Sequence, residues 1–111
     1  MTETEILAQL KDTMDQLEDN FDALYAAAPN NQAKEDLRQR LTAARDAYWM
    51  AVDRGIRDRN DFVNALAMDL TQQNKDLGKE IEGLHDFSQF LTVATEAVKL
   101  AASIAALAAA A

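Results

Sequence analysis

Glu82-Gly83-Leu84-His85 sets a carboxylate and an imidazole one helical turn apart, the spacing of one of the two ligand pairs of a carboxylate-bridged two-metal centre in a helical bundle. Such a centre needs the pair twice, plus a carboxylate from each remaining helix. His85 is the sole histidine of the chain, so the second pair cannot be built, and no metal ion is expected. The sequence has no cysteine, which removes thiolate metal sites, disulfides and Cys nucleophiles together. Asp12, Asp15, Glu18, Asp19 and Asp22 recur at helical spacing and could in principle hold a cation or exchange protons. Acid–base work requires a pocket that perturbs a pKa. These acids face away from the apolar seam of their own segment, so they read as a solvated face. Gly-rich phosphate loops, Ser-His-Asp sets and calcium loops are missing as well. The expectation is a protein that is not an enzyme and carries no cofactor.

Recognition chemistry is better represented. In Tyr48-Trp49-Met50, Tyr48 continues an apolar seam, which rotates Trp49 about 100° and Met50 about 200° away from it. Aromatic and Met side chains off a core face are enriched at binding surfaces. We expect Trp49 to be covered by a neighbouring helix and Met50 to be exposed, and keep both as interface candidates. Gln73 and Asn74 interrupt a third apolar seam. They are either solvent-exposed or a buried polar layer that fixes helix register.

Four blocks of similar length carry these residues. Leu7, Leu10, Met14, Leu17, Phe21, Leu24 and Ala28 step by three and four, a helical seam with no competing strand alternation. Thr2 with Glu5 forms a capping box before it, and Pro29 stops it. Asn30-Asn31 restart the chain, and the second seam runs Ala33, Leu37, Leu41, Ala44, Tyr48 and Ala51 to a stop at Gly55. Asp58 or Asn60 can cap the third block, with its seam at Val63, Leu66, Leu70, Leu77 and Ile81. Gly83 and Leu84 then offer a second stop, and Asp86 with Gln89 a capped fourth start. Helices are therefore expected near 3–28, 31–55, 60–82 and 86–110, each roughly 35–39 Å long. That pattern specifies an all-α protein, one domain over 1–111, folded as an up-down-up-down four-helix bundle. The alternative has three helices, because Leu70, Leu77, Leu84, Leu91 and Val98 are spaced by seven and would suit one long C-terminal rod.

The fourth block is the most unusual. Gln89, Thr92, Glu96, Lys99 and Ser103 form one polar stripe, and nearly everything else from Phe87 onward is apolar; ten of the last eighteen residues are alanine. Phe90, Val93, Ala97, Leu100, Ile104 and Leu107 lie on one side of the stripe, with Phe87, Leu91, Ala94, Val98, Ala101 and Ala105 on the other. A helix apolar over most of its circumference must be enclosed by its own chain, a partner or lipid. We expect one four-helix chain to be unable to cover both sides. The protein would then oligomerise, as a homodimer or higher assembly, through Phe90, Val93, Ala97, Leu100, Ala101, Ile104 and Leu107, joined by Trp49 and Met50. The longest uncharged run, Leu100 to Ala111, has twelve residues against the 20 or so of a bilayer span, so a simple transmembrane helix is not expected.

The formal charge of −8 argues against nucleic acid, since phosphate binding needs clustered Lys and Arg. Residues 1–28 carry seven acids and one base, whereas 30–60 carry five acids and seven bases. An acidic first helix beside a basic second one accounts for that asymmetry. The acidic start, Met1 to Glu5, lacks the basic and apolar regions of a signal peptide.

The ending Leu107-Ala-Ala-Ala-Ala resembles the Leu-Ala-Ala end of the bacterial tag that marks stalled translation products for proteolysis; such an end acts as a degron only when disordered. Small secreted helical hairpins with a Trp-x-Gly turn share this length, but here Met50-Ala51 follow Trp49 and that family is not carried over. The resulting expectation is a bacterial, cytoplasmic, non-enzymatic protein–protein interaction or assembly protein of chaperone, antitoxin, immunity or assembly-subunit type. Its partner is a protein: itself, a second protein, or both. The alternative is an exported or membrane-active protein that exposes the C-terminal helix to lipid.

Overall fold

A computed structural model describes residues 1–56 and 61–110, with side chains through Leu107. The described residues form helices and no strand: α1 (Glu3–Asp19), α2 (Phe21–Ala27), α3 (Asn31–Arg54), α4 (Asp61–Glu82) and α5 (Phe87–Ala110). The body is 41 × 21 × 18 Å, its long axis close to one 24-residue helix with its flanking turns.

Local chemistry sets most boundaries. Thr2 and Glu5 form the reciprocal capping box at the start of α1. The residue before Pro29, Ala28, is extended (φ −63°, ψ 128°), as the proline ring demands. Asn30 Oδ1 then accepts the Ala33 N–H at 2.8 Å and starts α3. Gly55 ends α3 at φ 76°, ψ 158°, a conformation essentially reserved for glycine. Asp86 Oδ1 accepts the Gln89 N–H at 3.2 Å, and the turn at Gly83–Asp86 separates α4 from α5, so the continuous C-terminal rod does not form. The candidate caps Asp58 and Asn60 lie outside the described residues.

The first block departs from expectation. The apolar seam continues to Ala28, yet the helix breaks at Asn20, whose side-chain amide donates to the Gln16 carbonyl at 2.8 Å. An asparagine bonded to its own preceding turn competes with the helical ladder, and α2 starts afresh at Phe21. Tyr25 holds α2 on α3. Arg38 donates to its hydroxyl at 2.8 Å, and Lys34 and Arg38 each lie 5.0 Å from its ring centroid.

Helix α5 packs extensively on both α3 and α4, while α1 covers the other side of the same pair and barely touches α5. The core has two parts. One gathers Ile6, Leu10, Ala51, Ile56, Val63, Leu70 and Ile104; the other gathers Met14, Leu17, Leu24, Leu37, Leu77 and Phe90. Between them lies a buried polar layer. Thr13 is fully buried and Asn74 is 3% exposed. The Thr13 hydroxyl donates to Asn74 Oδ1 at 2.6 Å, and Asn74 Nδ2 donates to the Gln9 carbonyl at 3.0 Å and to Gln9 Oε1 at 3.2 Å. Gln16 adds a bond to the Asn74 carbonyl at 3.0 Å. Of the two readings of the interrupted seam, the structure makes Asn74 the buried layer.

Candidate functional site

The C-terminal helix does not present the surface expected of it. Phe90, Ala97 and Ile104 are fully enclosed and Ala101 is 1% exposed, all within one chain. Val93, Leu100 and Leu107 are half-buried against the same core. The polar stripe of Gln89, Thr92, Glu96, Lys99 and Ser103 is what faces outward. The expectation that one chain could not cover both sides of this helix is therefore wrong. Because α5 sits between α3 and α4, one neighbour takes each apolar flank. Alanines at the contact (Ala47, Ala67, Ala94, Ala97, Ala101, Ala105) remove the side-chain bulk that would hold the helices apart.

The stretch Phe87–Leu107 has a mean hydropathy of 1.6 and is long and apolar enough to cross a membrane by length and composition. The twelve-residue uncharged run understated it. Its two charges, Glu96 and Lys99, are only three residues apart and pair at 3.8 Å. In this fold 39% of that apolar window is buried, and the helix packs its apolar flanks on α3 and α4.

Of the nine residues expected at an interface, only Trp49 (58%) and Met50 (40%) are exposed. No helix covers Trp49, which corrects the expectation for it. Its indole and the Tyr48 ring meet edge to face, with centroids 5.0 Å apart and planes at 67°, while Tyr48 reaches into the core. The adjoining face toward α1 carries Val52, 40% exposed. Met50 points to the opposite side of α3, into a shallow groove with Ala102 and Ala106 of α5. The sequence reading missed two further residues on α4, Phe62 (63%) and Met68 (66%). Met68 falls opposite the Val63–Leu66–Leu70–Leu77 seam, so helical phase could have flagged it; Phe62 lies one turn before Leu66 at the edge of the seam, and only the packing shows it uncovered.

The chemistry-bearing residues are dispersed. Glu82 and His85 are exposed beside the α4–α5 turn, where His85 Nδ1 contacts the Gly83 carbonyl. Among the described residues no three His, Asp or Glu side chains converge in a way that could hold a metal ion. On α1, Asp15 receives a 2.7 Å bond from Lys11, and that bond raises the Lys11 pKa. Asp12 is pushed up, chiefly by partial burial and further by the neighbouring Asp15 charge, against the lowering effect of its bond from Gln16. Glu5 is held below the ordinary carboxylate value, first by its bond from the Thr2 backbone N–H and then by that with the Thr2 side chain. Glu18 bridges to Arg45 of α3 at 3.1 Å, the pairing of acidic first and basic second helix read from the charge asymmetry.

Comparison with protein-family models, with curated proteins and with solved structures finds no match to this chain.

Proposed function

We propose that this chain is a non-enzymatic helical interaction or assembly protein whose partner is a second copy, another protein, or both. One observation carries the reading. Trp49, Phe62 and Met68 are each more than half exposed, while the large apolar side chains of the seams are enclosed. Aromatic and Met side chains held on rigid helices make low-entropy anchors for a protein partner. The binding surface is accordingly assigned to the outer faces of α3 and α4, with α5 as the scaffold behind them. Its four long helices are read as an up-down-up-down bundle. Support comes from the two halves of the core: one joins the starts of α1 and α4 (Ile6, Val63) to the late turns of α3 and α5 (Ala51, Ile104), and the other joins the late turns of α1 and α4 (Leu17, Leu77) to the early turns of α3 and α5 (Leu37, Phe90).

The test is the mass of the protein in solution at tens of micromolar, by light scattering, for wild type and for Trp49→Ser, Phe62→Ser and Met68→Ser. A defined oligomer that dissociates in at least one variant without loss of helix content supports self-assembly. A monomer with the same mass in all four removes it and leaves a heterologous partner as the only form of the proposal. The membrane-active alternative draws on the hydropathy of Phe87–Leu107. Liposome co-sedimentation of the intact chain decides it, since lipid binding would require α5 to leave α3 and α4.

A further inference from the structure

The break at Asn20 creates a site that an uninterrupted first helix would not have. It places Phe21 and Asp22 against α3 and opens a groove of about 380 Å³ between the α1–α2 corner and α3. Leu41, 6% exposed, forms the apolar floor with the half-buried ring of Phe21. Each end is bridged. The Arg45–Glu18 ion pair spans one end, and Arg38 bonded to the Tyr25 hydroxyl spans the other. Arg38 and Arg45 are seven residues apart on α3, so the slot between them is roughly 10 Å long.

The polar groups of the slot are not equally engaged. Both guanidiniums already have partners, Arg45 in Glu18 and Arg38 in Tyr25 and Glu35. The Asp22 carboxylate and the Thr42 hydroxyl lie between the bridges, and among the described residues neither has a hydrogen-bond or ion-pair partner. A bound group that donates to the Asp22 carboxylate, with the Thr42 hydroxyl as a second polar contact, and that lays an apolar stem on Leu41 and Phe21 meets what the slot leaves unengaged. The ring chemistry agrees. Tyr25 already has two cations over it. Phe21, with its centroid 5.7 Å away, has none among the described residues and lines the groove, where a cation could meet its ring. The formal charge of −8 favours the approach of a cation over that of an anion.

We propose that the α2–α3 groove binds a primary ammonium group on a short apolar stem. The ammonium is held by Asp22, Thr42 and the Phe21 ring, and the stem lies on Leu41. This assignment is independent of the Trp49, Phe62 and Met68 surfaces. The same chemistry can come from a free alkylamine or from a lysine on a protein partner.

The experiment titrates the full-length protein with n-butylammonium, with Nα-acetyl-Ala-Lys-Ala amide and with butyrate, following amide and aromatic NMR shifts. Saturable shifts confined to Phe21, Asp22, Leu41 and Thr42 are expected with the two amines, weakened about tenfold or more in Asp22→Asn by loss of the charge-assisted bond. Tighter binding of the peptide assigns the site to a partner lysine; equal or tighter binding of butylammonium assigns it to a free amine. Asp22 is exposed, and its variant should keep the wild-type spectrum elsewhere, so loss of binding cannot be mistaken for unfolding. No saturable shift with either amine, equal binding in Asp22→Asn, or equal binding of butyrate overturns the proposal.

Discussion

Replacing Asn74 should be among the most damaging small changes to this protein, although the residue sits where the hydrophobic pattern calls for leucine. Asn74→Ala removes the 2.6 Å bond from Thr13 and the bonds to Gln9 at 3.0 and 3.2 Å, and leaves a void at a position only 3% exposed. Net losses of about 1 kcal/mol for each of one or two hydrogen bonds, with roughly another 1 kcal/mol for the void, give about 2–3 kcal/mol. The figure does not rise further because Thr13 keeps an acceptor in the Gln9 carbonyl at 3.2 Å. A loss of that size lowers the thermal midpoint by roughly 10–15 °C for a chain of this length.

The double replacement Thr13→Val with Asn74→Leu behaves differently. It removes donor and acceptor together and fills the layer with hydrocarbon, which often proves neutral or stabilising. Urea denaturation of wild type, Thr13→Val, Asn74→Leu and the double variant, followed by far-UV circular dichroism, forms a complete cycle. A coupling energy of about 1 kcal/mol or more is expected for two buried groups in direct contact. Additive single effects, or an Asn74→Ala cost below about 0.5 kcal/mol, would refute the reasoning.

Further outcomes follow from particular residues. Gly55→Ala should cost about 1–3 kcal/mol because of its φ of 76°, since an added Cβ would meet nothing closer than Glu3 Oε1 at 3.7 Å. Gly83 has no positive φ, so Gly83→Ala should be neutral or mildly stabilising in the same chemical denaturation. Asp12 has a folded pKa above its ordinary 3.8, so its charged form is penalised by folding. That penalty is absent well below pH 3.8 and develops as pH rises through the unfolded and then the folded pKa. Asp12→Asn should therefore be more stable than wild type at pH 7, with the advantage vanishing near pH 3; an advantage that grows on acidification would contradict the sign. Ile104→Glu should unfold the chain or cost several kcal/mol by burying an unpaired charge, and Leu100→Glu, at a half-buried position, should cost less. Asp15→Asn and His85→Ala should stay within about 0.5 kcal/mol, as read from the same unfolding curves.

The elements proved more legible than their neighbours, and the reason is physical. Capping and stop signals are local: Thr2 with Glu5, Pro29 with Asn30, Gly55, and Asp86 with Gln89 act within four residues, so the chain states them directly. The break at Asn20 is also local, but Asn is tolerated inside helices, and only its observed bond to the Gln16 carbonyl shows that it competes with the ladder here. The short α2, and with it the groove beside α3, could not be anticipated from a seam that runs unbroken to Ala28. Asn74 was ambiguous for a different reason. A polar residue in a seam is tolerable only if partners exist, and its partners Gln9 and Thr13 lie more than sixty residues away in sequence.

Position within the assembly is the part that a hydrophobic pattern leaves undetermined. The pattern of α5 states that two flanks need cover, and the angle between them, but it is silent on what supplies the cover. Two copies could have done so, each taking one flank. Instead α3 and α4 occupy the two flanks and α1 closes the far side. In a bundle of four long helices each member keeps part of its circumference toward solvent. On α5 that part is the polar stripe from Gln89 to Ser103, which water solvates. On α3 and α4 it includes Trp49 and Met68, which gain nothing from water. The helix that looked most in need of a partner is thus the one whose apolar flanks α3 and α4 take. The large apolar side chains left exposed stand instead on two helices whose seams look ordinary. Phase within each helix locates those residues; the packing of all four establishes that they remain uncovered.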